Sequence, residues 1–222
     1  MNARFLIALA AVATAAQDKP PEQKEPYKFD TTVTSTPLYT FGTTVVATTG
    51  FRGQIYHIDT DSQGLPNFKK LKPKGTIYTS YLYIPPQDFA IGFPGVTKRF
   101  EWFAIDYTGR FWVSKPGRYD FALASDDGSK LYIDGKVVID NDGQHSILEK
   151  EGNAKLDVGV HRVRVSYFQG PRFHVALILR VWPPGDKFFR VFNLEEFKPP
   201  PDAPGWTDAE EEEAPVKKGK KK

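Results

Sequence analysis

The feature that most constrains the fold is a hydrophobic pattern that repeats every two residues in the middle of the chain. Tyr119, Phe121 and Leu123 alternate with smaller or polar residues, and His161–Tyr167 alternates in the same way. Successive side chains of a strand point to opposite faces, so this period predicts strands with one buried face. Aromatic and β-branched content predicts further strands at 55–58, 77–84, 102–107, 111–113 and 175–182, and an early strand within 41–51.

Turn-forming residues separate these segments. Asp134-Gly135 lies between Leu131–Ile133 and Val137–Ile139, and this dipeptide fits the positive-φ positions of a tight hairpin. No long stretch has apolar residues at helical spacing. Short strands separated by turns predict an all-β fold, either a sandwich or a barrel.

The N-terminus has the pattern of an export signal. Arg4 precedes the apolar run Phe5–Ala13, and Ala13–Ala15 forms an A-x-A cleavage site, which together predict a signal peptide over residues 1–16. The apolar run is shorter than the roughly 20 residues that cross a bilayer, so no transmembrane segment is predicted. The expected location is secreted: extracellular, at the cell surface or periplasmic.

Composition divides the remainder of the chain into three parts. Residues 17–28 form a linker rich in Pro, Glu and Lys, residues 29–198 form the folded body, and residues 199–222 form a tail. The tail contains the acidic block Glu210–Glu213 and the basic block Lys217–Lys222. Blocks of like charge repel and remain disordered, so we interpret the tail as solvated and expect no nucleic-acid partner.

Several classes of chemistry are excluded. The chain has no cysteine, which excludes disulfides, thiolate metal sites and cysteine nucleophiles. It also lacks a G-x-S-x-G sequence, a glycine-rich phosphate loop and an H-E-x-x-H sequence. The prediction is a protein that is not an enzyme.

The most distinctive residues lie in one block. Residues 118–121, 125–135 and 138–145 read RYDF, SDDGSKLYIDG and VIDNDGQH, and this block resembles the centre of PA14 domains. Similar flanking segments are Gly50–Gly53, Gly92–Gly95, Glu101–Phe103 and His161–Phe168. The resemblance covers about residues 50–185. It implies a two-sheet antiparallel β-sandwich of a kind that binds glycans in several members.

The resemblance also implies a site. In the yeast adhesin branch, two adjacent aspartates joined by a cis peptide hold a calcium ion that also coordinates sugar hydroxyls, and Asp126 and Asp127 match that pair. Adjacent carboxylates repel, and a Ca²⁺ ion with six to eight oxygen ligands relieves the repulsion. The alternative is a solvent-facing turn in which both aspartates accept backbone N–H groups.

Four further residues are candidates for ligand binding. Asn141 and Asp142 could supply further oxygens from their loop; the alternative is that Asx turns alone shape this loop. His145 closes the same loop and could donate to a ligand. Gln169 belongs to the stretch that matches the second ligand loop of the adhesins. That stretch is short here, and Arg172 within it would repel a cation.

Two functional hypotheses follow. The first is a secreted, non-catalytic domain that recognises carbohydrate, a glycan or cell-surface polysaccharide, with calcium held in the Asp126-Asp127 loop. The second is a structural or assembly protein that uses the same sandwich for protein–protein contacts, including self-association.

Overall fold

The computed structural model describes residues 39–47, 49–171, 174–204 and 206. In these residues the chain forms eleven β-strands and two short 3₁₀ helices, with no α-helix. The strands are β1 Phe51–His57, β2 Gly75–Thr79, β3 Tyr83–Asp88, β4 Phe103–Val113, β5 Gly117–Asp126, β6 Ser129–Ile133, β7 Lys136–Asn141, β8 Leu148–Leu156, β9 Gly159–Gln169, β10 His174–Trp182 and β11 Arg190–Val191. The 3₁₀ helices are η1 Phe68–Lys70 and η2 Leu194–Phe197.

The strands form two antiparallel sheets. The six-stranded sheet has the order β2-β1-β4-β9-β6-β7, and the five-stranded sheet has the order β11-β10-β5-β8 with β3 also paired to β10. The predicted two-sheet antiparallel β-sandwich is therefore confirmed.

The inward faces of both sheets build an aromatic core. Phe121 of β5, Phe111 of β4 and Phe192 are each fully buried, and the Phe111 and Phe192 rings meet edge to face with centroids 5.3 Å apart. Large aromatic rings bury more apolar area than any other side chain. Because the chain has no cysteine, this burial takes the place of disulfides in stabilising the sandwich.

The predicted hairpin is confirmed in its backbone. Asp134 and Gly135 have φ values of 49° and 76°, the left-handed pair that a type I′ turn requires. A carboxylate oxygen of Asp134 also accepts the Arg162 amide at 2.8 Å, so the turn is fastened to β9.

Three sequence-based boundaries are wrong. The predicted strand 77–84 is two strands in different sheets, since the chain changes sheet between Thr79 and Tyr83. Segments 102–107 and 111–113 belong to one strand, β4. The predicted strand within 41–51 is reduced to a single bridge between Thr43 and Tyr78.

Two strands were missed, the two-residue β11 and the longer β8. Segment 148–156 reads LEKEGNAKL, which has the charged composition of a loop, yet it pairs with β5 along its whole length. Gly152 is required there, because a Cβ would lie 2.2 Å from the Val138 carbonyl oxygen.

Several predictions about the ends of the chain lie outside the described residues. The signal peptide, the 17–28 linker and both charged blocks of the tail fall in 1–38 and 207–222. In the part that is described, no helix has the length and apolar content needed to cross a membrane.

Replacing a core ring tests this packing. Phe121 is fully buried, so Phe121→Ala should lower the free energy of unfolding by about 3 to 5 kcal/mol, measured by urea denaturation. Phe188 is 69% exposed, and Phe188→Ala is the matched control, with an expected change within about 0.5 kcal/mol. Equal losses for the two variants would show that the inward face is assigned wrongly.

Candidate functional site

The two adjacent aspartates lie where the chain passes from one sheet to the other. Strand β5 of the five-stranded sheet ends at Asp126, and β6 of the six-stranded sheet begins at Ser129. The peptide bond between Asp126 and Asp127 is cis. Gly128 completes the crossover, because a Cβ there would lie 2.4 Å from Phe168 and 2.7 Å from the Gly143 amide nitrogen.

The Asp127 carboxylate connects three segments of the chain. Its Oδ2 atom accepts the Gly170 amide at 2.7 Å, and its Oδ1 atom accepts the His145 amide at 3.1 Å. The residue is only 6% exposed. Burial raises the pKa of the Asp127 carboxyl, and the two amide hydrogen bonds oppose that rise. Asp127 therefore ties the crossover to the 140–147 loop and to the end of β9.

The Asp126 carboxyl is partly buried and destabilised as an anion. Burial and, to a lesser extent, the neighbouring Asp127 charge raise its pKa to about 6, against the opposing effects of His145, His174 and the Ile147 amide. The Asp126 carbonyl oxygen accepts the Tyr167 hydroxyl at 2.7 Å. In the described residues, neither aspartate forms an ion pair with a lysine or arginine.

Asn141 lies beside this crossover with one oxygen unsatisfied. It is fully buried, and its Nδ2 atom donates to Ser125 Oγ at 3.1 Å and to the Leu148 carbonyl at 2.9 Å. Its Oδ1 atom is buried and accepts no hydrogen bond from the described residues. Buried carbonyl oxygens are rarely left in this state, and water or an ion normally satisfies them.

His145 is placed at the same end of the sandwich. Its Nε2 atom is 3.0 Å from the Asn141 carbonyl oxygen and its Nδ1 atom is 2.9 Å from the Ser146 carbonyl oxygen. Both ring nitrogens therefore face carbonyl oxygens, and the coulombic effect of His145 lowers the pKa of both Asp126 and Asp127.

Two of the predicted ligand-binding residues, Asp142 and Gln169, bond to other groups of the protein. Asp142 Oδ1 accepts the Leu65 amide at 2.8 Å, and its Oδ2 lies 3.1 Å from Lys130 Nζ. The side chain is therefore directed toward residues 58–67, the loop between β1 and η1, here called the 60s loop. Gln169 is fully buried, with Nε2 donating to the His174 carbonyl at 3.0 Å and Oε1 lying 2.6 Å from the Tyr167 hydroxyl. Arg172 lies outside the described residues.

Sequence reasoning missed two contributors. Tyr167 reads as an ordinary core residue of an alternating strand, and only the packed structure brings its hydroxyl to the Asp126 carbonyl. The Gly170 amide is a backbone group and carries no side-chain signal. Among the described residues, no group of three or more His, Cys, Asp and Glu side chains forms a metal cluster.

The geometry defines a two-sheet β-sandwich with an acidic crossover loop at one end, and sequence comparison identifies its family. The PA14 domain family matches residues 47–185. The match spans more than half of the sequence, and the chain belongs to the PA14 domain family. Among curated proteins, no sequence matches this chain.

Solved structures share the fold at low sequence identity. The PA14 sugar-binding domain from an RTX adhesin has a TM-score of 0.56 at 17% identity, covering 67% of this chain and 97% of that chain. The PA14 domain of the MpAFP antifreeze protein has a TM-score of 0.54 at 17% identity, covering 66% and 88%. An anti-sigma factor domain-containing protein has a TM-score of 0.52 at 18% identity, covering 69% and 49%.

The raised pKa of Asp126 predicts a pH-dependent loss of stability in metal-free buffer. The folded pKa of about 6 exceeds the ordinary 3.8, so ionisation costs folding free energy. The cost grows as pH rises from about 4 to about 6 and persists above that range. Because this carboxyl is partly exposed and solvent screens its charge, the unfolding free energy of Asp126→Asn should exceed that of wild type at pH 7 by on the order of 1 kcal/mol.

Urea denaturation from pH 3.5 to 7.5 in EDTA measures this difference. The gain of Asp126→Asn should vanish at the acid end, where wild type is protonated in both states. Exposed Asp157 gives the control variant Asp157→Asn, which should follow wild type throughout. A gain that is the same at every pH would show that Asp126 is not held in a destabilising environment.

Proposed function

We propose that this PA14 domain is a secreted, non-catalytic module that binds carbohydrate through a calcium ion held by Asp126 and Asp127. The observation that carries the proposal is the pair of adjacent, desolvated carboxylates with no lysine or arginine partner among the described residues. A divalent cation relieves both the burial cost and the mutual repulsion.

The donor set fits a hard cation. Ca²⁺ prefers oxygen ligands and takes six to eight of them at roughly 2.3 to 2.6 Å. The two carboxylates supply the charge. The unsatisfied Asn141 Oδ1 is a candidate neutral oxygen, because the Asn141 side chain also bonds Ser125, which precedes the pair.

The number of oxygen ligands that the protein offers also supports a sugar ligand. Two aspartates and one amide cannot fill a calcium shell, so several positions would remain for water or for the vicinal hydroxyls of a sugar. An ion with open positions at a surface loop acts as a binding point for polyols. The RTX adhesin domain with the same fold is described as sugar-binding, which agrees with this ligand class.

The protein's own residues hold the aspartates in place. The Gly170 and His145 amides fix the Asp127 carboxylate, and the Tyr167 hydroxyl fixes the backbone at Asp126. A site preorganised in this way loses little conformational entropy when it binds. Calcium would neutralise the charge and orient the sugar hydroxyls.

Export agrees with this role. The predicted signal peptide over residues 1–16 would deliver the domain to a calcium-containing exterior, where glycans are displayed. A cysteine-free chain needs no oxidising step to fold there.

Calorimetric titration of the chain with CaCl₂ tests the proposal. Wild type should bind one calcium ion saturably, and Asp126→Asn/Asp127→Asn should lose binding, because the carboxylates carry the charge of the site. Asp157→Asn, an exposed aspartate outside the loop, should bind as wild type does. A glycan array in calcium and in EDTA then identifies the sugar.

Either of two results would reject the proposal. If wild type binds no calcium, the aspartates form only a structural turn, and the assembly-protein hypothesis is favoured. Sedimentation analysis would then detect the self-association that this hypothesis predicts. Calcium binding that persists in the double variant would place the ion elsewhere.

A further inference from the structure

A cavity lies on the outer face of the six-stranded sheet, beside the 60s loop. It has a volume of about 270 Å³, slightly below the range of roughly 300 to 1,000 Å³ typical of drug-sized ligands. Its walls include Phe68, Lys69, Lys130, Tyr132, Asp142 and Arg164. The size suits one sugar ring or a similar small group.

Arg164 is fixed at the base of this cavity. Its Nε atom donates to Asp106 Oδ1 at 2.7 Å, and the same oxygen accepts the Ser166 hydroxyl at 2.8 Å. The guanidinium carbon lies 5.0 Å from the centre of the Tyr132 ring and 5.7 Å from that of Phe68. Two aromatic rings and one carboxylate therefore orient a planar cation.

The outer edge of that guanidinium is free to bind a ligand. Within the described residues, Arg164 makes one hydrogen bond to a carboxylate, through Nε, and its terminal nitrogens have no acceptor. Its side chain is 39% exposed. Paired terminal N–H groups match the two oxygens of a carboxylate or sulfate.

The groups that line the cavity are mostly cationic, although carboxylates outside the lining also pair with them: Asp106 with Arg164 at 2.7 Å and Asp140 with Lys130 at 3.2 Å. Lys69 is exposed at the rim, and the lining itself holds three cations and the single carboxylate of Asp142. That carboxylate is already engaged by the Leu65 amide at 2.8 Å and by Lys130 Nζ at 3.1 Å. Lys130 is therefore paired with two carboxylates, whereas Lys69 has no ion-pair partner in the described residues and Arg164 keeps its terminal nitrogens for a ligand.

The cavity is connected to the aspartate loop. Residues 140–147 form one wall through Asp142, and the same loop donates the His145 amide to Asp127. The Gln144 side chain donates to the Ser62 carbonyl at 2.8 Å and fastens the 60s loop to it. The 140–147 loop therefore contacts both the cavity and the aspartate pair.

We propose that this cavity, here called the Arg164 groove, binds the carboxylate of an acidic sugar, a uronic acid residue of a polysaccharide, through Arg164 and Lys69. The groove deepens the proposed function and rests on its carbohydrate ligand, but it requires no metal. The planar rings beside the guanidinium pack against the apolar face of the sugar ring.

Calorimetry with trigalacturonate tests the proposal, in EDTA and with the Asp126→Asn/Asp127→Asn variant as the parent, so that the calcium site takes no part. The parent should bind trigalacturonate, and its fully methyl-esterified form should bind at least about tenfold more weakly, because ester groups are neutral. Binding should also weaken as NaCl is raised.

Point variants locate the binding. Arg164→Gln should weaken trigalacturonate binding about tenfold or more. Lys69→Gln, at an exposed position that does not affect folding, should weaken it severalfold. Lys70→Gln is the matched control, since Lys70 is exposed in the same 3₁₀ helix and does not line the groove; its affinity should equal the parent's.

Three results would overturn the proposal. The first is equal affinity for the acid and its methyl ester. The second is parent-like affinity in both Arg164→Gln and Lys69→Gln, where the Lys69 variant decides if the arginine variant fails to fold. The third is failure of the parent to bind trigalacturonate while the wild-type chain binds it in calcium, which would assign the acid to the aspartate loop. Failure of the calcium titration alone leaves the groove result unaffected.

Discussion

The hydrogen bonds of the Asp127 carboxylate are the interaction on which the rest of the site depends. One carboxylate accepts amides from Gly170 and His145, and so joins the β5–β6 crossover, the end of β9 and the 140–147 loop. The Tyr167 hydroxyl supports the crossover from the core side. Loops that rest on rigid strands in this way present ligand groups in a fixed arrangement.

Electrostatics explains why such a fixed arrangement would serve binding. Two neighbouring carboxylates at partly buried positions cost free energy, and the backbone amides offset only part of that cost. In the proposed function, a bound cation would offset the remaining cost, and its open ligand positions would bind hydroxyl groups. On the outer sheet face the available groups are cationic, since Arg164 keeps its terminal nitrogens after pairing with Asp106 and Lys69 is exposed at the rim of the groove. The 140–147 loop borders both places, through Asp142 and through the His145 amide.

Much of the fold could be predicted because alternation reports directly on burial. Tyr119, Phe121 and Leu123 are all buried as their period predicted. The strand Leu148–Leu156 could not be predicted, because it lies at a sheet edge where charged side chains are tolerated. The aspartate pair Asp126 and Asp127 was selected as a candidate site through its sequence motif. The contact between Asp142 and Lys130 and the hydrogen bond from the Gly170 amide could not be predicted, because they depend on loop packing and on backbone groups.

The most direct test is a crystal structure determined from crystals grown in CaCl₂, compared with crystals grown in EDTA. The account predicts an ion with carboxylate oxygens of both Asp126 and Asp127 at roughly 2.3 to 2.6 Å, its remaining positions filled by water or an added sugar. Carboxylates that contact only amides and water in both crystals, or a calcium ion bound away from this loop, would contradict it.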